Sequence, residues 1–120
     1  MTNLIFAYTR EQAIADGVLI DAGEMAKEAG FKYPVALTSA VWADYVRVPE
    51  GVECQDEQGR LWDILYMLHV AIWKHGSGGV VHYSLYVNND GRPRPVRLKA
   101  ICGPGDDAEP VITIMLPHED

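Results

Sequence analysis

One segment of the chain, residues 60–75 (RLWDILYMLHVAIWKH), has the pattern of a helix that must be covered on two sides. At the helical rotation of about 100° per residue, its aliphatic side chains fall in one sector. They are Leu61, Ile64, Leu65, Leu68, Ala71 and Ile72. A second stripe beside this sector comprises Trp62, Tyr66, His69 and Trp73. The rest of the fold must therefore supply one surface for an aliphatic stripe and another for an aromatic stripe.

After this helix the hydrophobic period changes from about 3.6 residues to 2, which is typical of half-buried strands. The first predicted strand has the alternating residues Val81, Tyr83, Leu85 and Val87. A turn at residues 88–91 (NNDG) leads to a second strand over residues 96–102, and a third strand follows at residues 112–116. Short connections between consecutive strands predict an antiparallel meander, with Val87 opposite Val96.

The half of the chain before the long helix is predicted to form short helices. Thr9 and Gln12 have capping-box spacing for a helix over residues 10–15, and Asp21 and Glu24 repeat this spacing for a helix through residue 29. Thr38 is a suitable N-cap for a third helix over residues 39–47. Residues 4–8 are predicted to form a strand or an extended lead-in. A small strand at residues 52–55 and a tight turn at residues 56–59 are predicted just before the long helix, which is expected to start near residue 62.

These elements predict a single α+β domain over residues 1–120, with a C-terminal three-stranded antiparallel meander packed against the long central helix. A small sheet needs one face covered, and the aliphatic stripe is the expected cover. The short N-terminal helices, with Trp42 and Tyr45, are then expected on the other side of the long helix, against its aromatic stripe. Met67 and Val70 would be left as the part of this helix that is available to a partner.

Composition narrows the class of protein. The 120 residues are 48% hydrophobic and 22% charged, as in folded soluble domains, and the net charge is −7. An acidic chain repels nucleic acid, and the 17 acidic residues are spread along it rather than gathered in a run that would favour DNA mimicry. With two cysteines, no basic and apolar leader, and no apolar run near the ~20 residues of a membrane span, we expect a cytoplasmic protein.

No set of residues has the spacing of a known catalytic or metal site. The four histidines lack metal-ligand spacing, and no nucleophile elbow, Walker loop or dinucleotide-binding turn is present. In the predicted register His82 and Cys102 point to opposite faces of the sheet, which disfavours a nucleophile and base pair. We therefore expect no catalytic residues, no metal and no cofactor.

One cluster of basic residues is a candidate binding site. Arg92, Arg94, Arg97 and Lys99 fall within eight positions, and in the predicted register Tyr86 faces Arg97 across the hairpin. Such a strip suits phosphate, carboxylate or an acidic protein face. The alternative is an ordinary solvated sheet face, with Arg97 stacked on Tyr86.

A second candidate site lies at the start of the first helix. Tyr8, Arg10 and Asp16 form a polar group beside the helix N-terminus, which is a favourable position for an anion. Helix capping and pairing between surface side chains are the simpler explanation of the same residues.

Four phrases carry a resemblance that extends over almost the whole chain: YTREQAIADGVLIDA, EAGFKYPVALTSAVWADYV, QDEQGRLWDILYM and GPGDDAEPVITIMLPHED. The chain resembles a family of small bacterial proteins that is classed as a domain of unknown function. Members of that family look like products of phages, plasmids and other mobile elements. The resemblance implies an accessory protein of mobile DNA, and it carries over no site residues.

Three hypotheses follow. The first is a non-enzymatic protein that binds a protein partner, with antagonism of host defence as the setting that the resemblance suggests. The second is a small enzyme or a protein that binds a small ligand or anion, using Tyr8 and Arg10 or the basic strip from Arg92 to Lys99. The third is a homo-oligomer whose interface includes Met67 and Val70. No direct contact with nucleic acid or membrane is expected.

Overall fold

In the computed structural model, residues 8–75 and 78–119 are described, and they form a five-stranded sheet flanked by helices. In chain order the elements are α1 (Arg10–Ala15), β1 (Leu19–Asp21), α2 (Glu24–Glu28), β2 (Val35–Thr38), α3 (Ser39–Val41), α4 (Glu57–His75), β3 (Val80–Asn88), β4 (Pro93–Pro104) and β5 (Pro110–Met115). A π-helical turn over Trp42–Val46 continues α3. Residues 4–7 of the lead-in predicted at 4–8 lie outside the described residues.

The sheet is larger than the predicted meander. Its strand order is β1-β2-β5-β4-β3. The antiparallel pairs β3–β4 and β4–β5 agree with the meander, but β2 pairs parallel to β5, and β1 pairs antiparallel to β2. The prediction of a three-stranded antiparallel meander is therefore wrong, and the protein is α+β with a mixed sheet. Strand β2 is buried at three consecutive residues, so it lacks the alternation that reveals a half-buried strand, and β1 has only three residues.

The register of the β3–β4 hairpin differs from the predicted one by two residues. Val87 pairs with Arg94, and Tyr86 pairs with Pro95 rather than with Arg97. A shift of two keeps every side chain on its predicted face, because side chains alternate with a period of two. The inward face of β3 is therefore as predicted, whereas the neighbours across the hairpin are not.

The main core lies between one face of the sheet and α4. Leu61, Ile64, Leu65 and Leu68 of the aliphatic stripe of α4 are buried there, as predicted, whereas Ala71 and Ile72 are partly buried against the same cluster. Residues of α2 and α3 also belong to this cluster. The most deeply buried side chains are Leu37, Ile64, Leu65, Leu68, Leu98 and Ile114. Burial of each such side chain stabilises the fold by about 1.5–3 kcal/mol. Helix α1 packs against β1 instead, and its Arg10 side chain reaches Thr113 on the opposite face of the sheet.

Most of the aromatic stripe of α4 is not covered, which corrects the expected packing of the N-terminal helices. The His69 ring alone among its members meets a ring of the N-terminal half in the described structure, that of Phe31, edge to face with centroids 5.7 Å apart. The exposed fractions of Trp62, Tyr66 and Trp73 are 37%, 49% and 80%. Trp42 and Tyr45 are half-buried against the main core. The pattern of a helix shows which side chains are apolar, but it does not show whether another element faces them. An aromatic side of α4 therefore remains open to solvent.

Helix α4 also starts earlier than predicted. The Asp56 carboxylate accepts a hydrogen bond from the Gly59 backbone N–H at 2.7 Å, and the helix begins at Glu57. This is the contact of an N-cap with the third helical residue. The predicted tight turn at residues 56–59 is therefore wrong, and the non-glycine residue with positive φ in this region is Cys54, at 61°.

Candidate functional site

A cavity of about 700 Å³ lies between the start of α4 and the end of β3. Its lining residues come from the loop before α4, the first turns of α4, the π-helical turn and β3. They are Tyr45, Cys54, Gln55, Asp56, Gly59, Arg60, Trp62, Asp63, Leu85, Tyr86, Val87 and Asn88. Four consecutive residues of β3 are in this set. Because side chains of a strand alternate between faces, four consecutive lining residues indicate that the cavity runs along the edge of the strand.

Strand β3 is the last strand of the sheet, and its outer edge has no strand partner among residues 8–75 and 78–119. The Cys102 N–H donates to the Gly79 carbonyl at 2.8 Å, which fixes the hydrogen-bonding pattern of the hairpin. In an antiparallel pair, alternate residues point their N–H and C=O groups to opposite sides. The odd residues of β3 therefore bond to β4. The even residues, Val80, His82, Ser84, Tyr86 and Asn88, direct these groups outward.

The hairpin pairs support this pattern independently. Pro93 lies opposite Asn88, and Pro95 lies opposite Tyr86. Both prolines thus occupy positions that do not hydrogen bond to β3, as required for a residue without an N–H. The β5 ladder reaches only Lys99 on β4, so the two prolines lie on a part of β4 that extends beyond β5.

The cavity and the outer edge of β3 beside it together form a groove, and Arg60 fixes one end of it. Arg60 is only 6% exposed, and its guanidinium donates to the Tyr45 and Asn88 carbonyls at 2.9 and 2.8 Å. It also donates to the side-chain oxygens of Gln55 and Asn89. All these acceptors are neutral, and burial lowers the pKa of Arg60. Arg60 therefore joins α4, the π-helical turn and the end of β3, and its bond to Asn88 closes the outward edge at that residue.

Asp63 is the second charged residue of the groove to be considered, and unlike Arg60 it is not held by contacts within the described fold. It lies one turn after Arg60, and partial burial raises the pKa of its carboxyl group. Within the described ranges, neither a salt bridge nor a side-chain hydrogen bond engages this carboxylate. Trp62 lies beside it and is stacked with Tyr66, with ring centroids 6.3 Å apart and planes 19° from parallel. Together they present an unpaired carboxylate next to exposed aromatic rings.

The predicted basic strip is divided between different surroundings. Arg94 forms a salt bridge with Asp90 at 2.7 Å, and Arg92 lies in the hairpin turn. Arg97 is exposed opposite Ser84, and the Lys99 ammonium donates to the Glu119 carbonyl. By strand alternation Arg94 lies on the face opposite that of Arg97 and Lys99.

Tyr86 is the one residue of the predicted strip that also lines the groove. It is 70% exposed, and it pairs across the hairpin with Pro95. The structure therefore does not bring the four basic residues together with Tyr86 as one continuous strip. Their role in binding stays a prediction.

The candidate residues at the first helix are engaged in structural contacts. The Tyr8 hydroxyl donates to the Asp16 carboxylate at 2.7 Å, which raises the Tyr8 pKa. The Arg10 guanidinium donates to Thr113 Oγ1 at 2.7 Å and to the Ile112 carbonyl at 2.8 Å. These contacts hold α1 against the sheet. The N-terminus of α1 already has an anion beside it, since the Asp106 carboxylate accepts from the backbone N–H groups of Arg10 and Glu11.

The groove is lined by side chains of several chemical kinds. Its lining includes the thiol of Cys54 but no histidine, lysine or serine. Among the described residues, no group of three or more histidine, cysteine, aspartate or glutamate side chains is placed to hold a metal ion. What the lining combines is a strand edge with outward backbone groups, three aromatic rings and two carboxylates.

Sequence reasoning missed Arg60, Asp56 and Asp63 as site residues, and it missed the edge itself. One signal was present, because residues 80–88 (VVHYSLYVN) contain no lysine, arginine, aspartate, glutamate or proline. Natural edge strands usually carry such residues as protection against pairing with other chains. The position of β3 at the edge could not be predicted from the sequence, because it depends on β1 and β2 joining the sheet on the side of β5.

Comparisons with known proteins place the whole chain in one group. A model of a family of unknown function (DUF6573) matches residues 1–120. Searches of the curated proteins and of the solved structures find no match to this chain. None of the described helices has the length and apolar character needed to cross a membrane. The chain belongs to this family of unknown function, as its sequence phrases predicted.

Proposed function

We propose that this chain is a non-enzymatic binding protein that takes up an extended segment of a protein partner along the outer edge of β3. The observation that carries the proposal is the nine-residue edge strand with outward N–H and C=O groups beside a cavity of about 700 Å³. In strand addition, main-chain hydrogen bonds provide affinity and pockets for alternate side chains provide specificity.

The groove has the parts that this mode of binding requires. Val80, His82, Ser84 and Tyr86 supply a row of backbone donors and acceptors, because only Asn88 has its outward carbonyl bonded to Arg60. Helix α4 forms the opposite wall, with Trp62 exposed to the cavity. A strand edge facing a helix can accept an extended peptide on one side and its side chains on the other.

The biological setting of the proposal comes from the sequence resemblance to proteins of phages, plasmids and other mobile elements. An accessory protein of mobile DNA acting in the bacterial cytoplasm, including one that antagonises host defence, would work through such a protein partner. The small size and acidity of the chain agree with that setting.

A proline substitution tests strand addition without changing the groove side chains. Ser84 directs its N–H outward, so Ser84→Pro removes an edge donor while keeping the β3–β4 ladder, as Pro95 does in β4. Ser84→Ala is the matched control, because it keeps the N–H. A displayed library of linear peptides is selected on the full chain, and enriched peptides are measured by calorimetry. We expect Ser84→Ala to bind them as the unchanged chain does, and Ser84→Pro to bind about tenfold more weakly or worse.

The proposal fails if no peptide is enriched over an unrelated acidic protein of similar size. It also fails if the enriched peptides bind Ser84→Pro undiminished, since their binding would then not use the strand edge. Light scattering on the same samples identifies the remaining alternative. A dimer that Ser84→Pro dissociates would show that a second copy occupies the edge in place of another protein.

A further inference from the structure

We propose that the segment bound along β3 carries a lysine or arginine side chain that pairs with Asp63 and lies against Trp62 and Tyr86. This inference rests on the proposed function and names the chemistry of the partner. The three side chains line one cavity, at the last third of the strand edge.

The wall opposite β3 favours a cation over an anion. Between residues 44 and 63 the chain has six acidic residues and two basic ones. The acidic residues are Asp44, Glu50, Glu53, Asp56, Glu57 and Asp63. One of the two basic residues, Arg60, is buried, so it contributes little free positive surface. Two of these carboxylates, those of Asp56 and Asp63, line the cavity, so an extended segment lying in the groove would run beside negative charge.

Arg60 and Asp63 differ in what they leave for a ligand. Four guanidinium hydrogen bonds of Arg60 go to neutral oxygens within the fold, and an incoming anion would have to displace them. Asp63 has no partner in the part of the chain that the structure describes, although it is partly desolvated. A partly desolvated carboxylate without a cation is a favourable site for one.

The aromatic residues add a second kind of complementarity. Trp62 and Tyr86 are exposed by 37% and 70%, and both line the cavity with Asp63. A lysine ammonium or an arginine guanidinium is attracted to the face of such rings, and the aliphatic stem of the same side chain covers their apolar surface. A carboxylate or phosphate would gain neither contact.

The test uses the same displayed library of linear peptides on two chains. We expect selection on the unchanged chain to enrich lysine or arginine at one position of the peptides. Selection on Asp63→Asn should lose this enrichment, but it should still give peptides whose binding depends on the Ser84 N–H. Asp107→Asn is the matched control, since it removes the same charge from the β4–β5 loop, at the far end of β4 from the groove. It should enrich the same basic position.

The tightest lysine-containing peptide is then synthesised with the lysine or with uncharged norleucine. We expect norleucine to weaken binding to the unchanged chain about tenfold and to leave binding to Asp63→Asn unchanged. Peptides that require the Ser84 N–H but contain no basic position would overturn this inference and leave the proposed function standing. A basic position that persists on Asp63→Asn would also overturn it. Peptides that ignore Ser84 would overturn the proposed function instead.

Discussion

The two edges of the sheet are built in different ways. At one edge, β1 has three residues, and only Leu19 and Asp21 direct their backbone groups outward, because Ser39 and Ala22 complete the pairing on the inner side. Asp21 places a charge there, and its carboxylate accepts from the Gly23 N–H. At the other edge, β3 has nine residues and no charged side chain.

This difference shows which edge the fold protects. A short strand that ends in a charge is a common way to prevent pairing with another chain, whereas a long uncharged edge invites it. The contacts of α1 stabilise the β1 side, since Arg10 and Asp106 connect α1 with β5 and the β4–β5 loop. On the β3 side, the described part of the chain closes only the last outward residue, through Arg60. Four substitutions test this contrast.

The largest effect is expected from Arg60→Met, which removes the connection at the end of β3. Four oxygens within the fold lose a charged donor, and hydrogen bonds to charged groups each contribute about 1.5–3 kcal/mol. Because water can replace part of this loss, we expect the free energy of unfolding in urea to fall by about 3 kcal/mol. Arg97→Met, at an exposed position, is the control and should change it by less than about 0.5 kcal/mol. Equal effects for both variants would contradict the structural role of Arg60.

A smaller loss is expected on the β1 side from Arg10→Met. The substitution removes the guanidinium bonds to Thr113 and Ile112, which are half-buried, and we expect the free energy of unfolding to fall by about 1–2 kcal/mol. Hydrogen exchange should show faster exchange of α1 amides with little change in β3. Faster exchange throughout the sheet would mean that α1 is not a separate local unit.

Asp106→Asn should change how stability depends on pH. The backbone N–H groups of Arg10 and Glu11 bond to the Asp106 carboxylate and lower its pKa in the folded state. The ionised carboxylate therefore stabilises the fold above the unfolded pKa of about 3.9, and this contribution is lost as the pH falls through the lower folded value. We expect thermal melts to show Asp106→Asn as less stable at pH 7, with the difference shrinking below about pH 4. A constant difference from pH 7 to pH 2 would contradict this assignment.

The smallest effect, of opposite sign, is expected from Asp63→Asn in the open groove. Burial raises the pKa of Asp63, so its ionised form destabilises the fold, and stability rises as the pH falls through the folded pKa. Since the side chain is largely exposed, Asp63→Asn should stabilise the chain at pH 7 by only about a few tenths of a kcal/mol. The gain should vanish in acid. Destabilisation at pH 7 would indicate that Asp63 has a partner within the fold.

The sequence predicted those parts of the fold that repeat with a regular period. The aliphatic stripe of α4 and the inward residues of β3 were identified because each pattern continues over many residues. Thr9 and Gln12 likewise marked α1, whose capping box is present in the structure. Strand β2 gave no such pattern, since it is short and buried on both sides, and its parallel pairing with β5 is a long-range contact that local rules do not contain.

The site was less predictable than the fold. Arg60 was placed after the predicted turn at residues 56–59 and given no role. Its structural role depends on carbonyls from Tyr45 and Asn88, which are distant in sequence. Trp62, Tyr66 and Trp73 were assigned to the core because they are apolar, and their exposure follows only from the absence of a described element against them. The groove is thus a product of strand order, which no short motif encodes.

The prolines of β4 limit what an addition at β3 can build. Where β4 extends beyond β5, Pro93 and Pro95 direct nitrogens without hydrogen toward the open side, so this stretch offers few donors to an incoming strand. A sheet that could grow at both sides would allow copies to add without end, as in fibres. Copies of this chain that join through β3 alone pair edge to edge, which uses both β3 edges and ends the growth at two. We therefore expect a stoichiometry of one bound segment per chain and a finite, countable assembly.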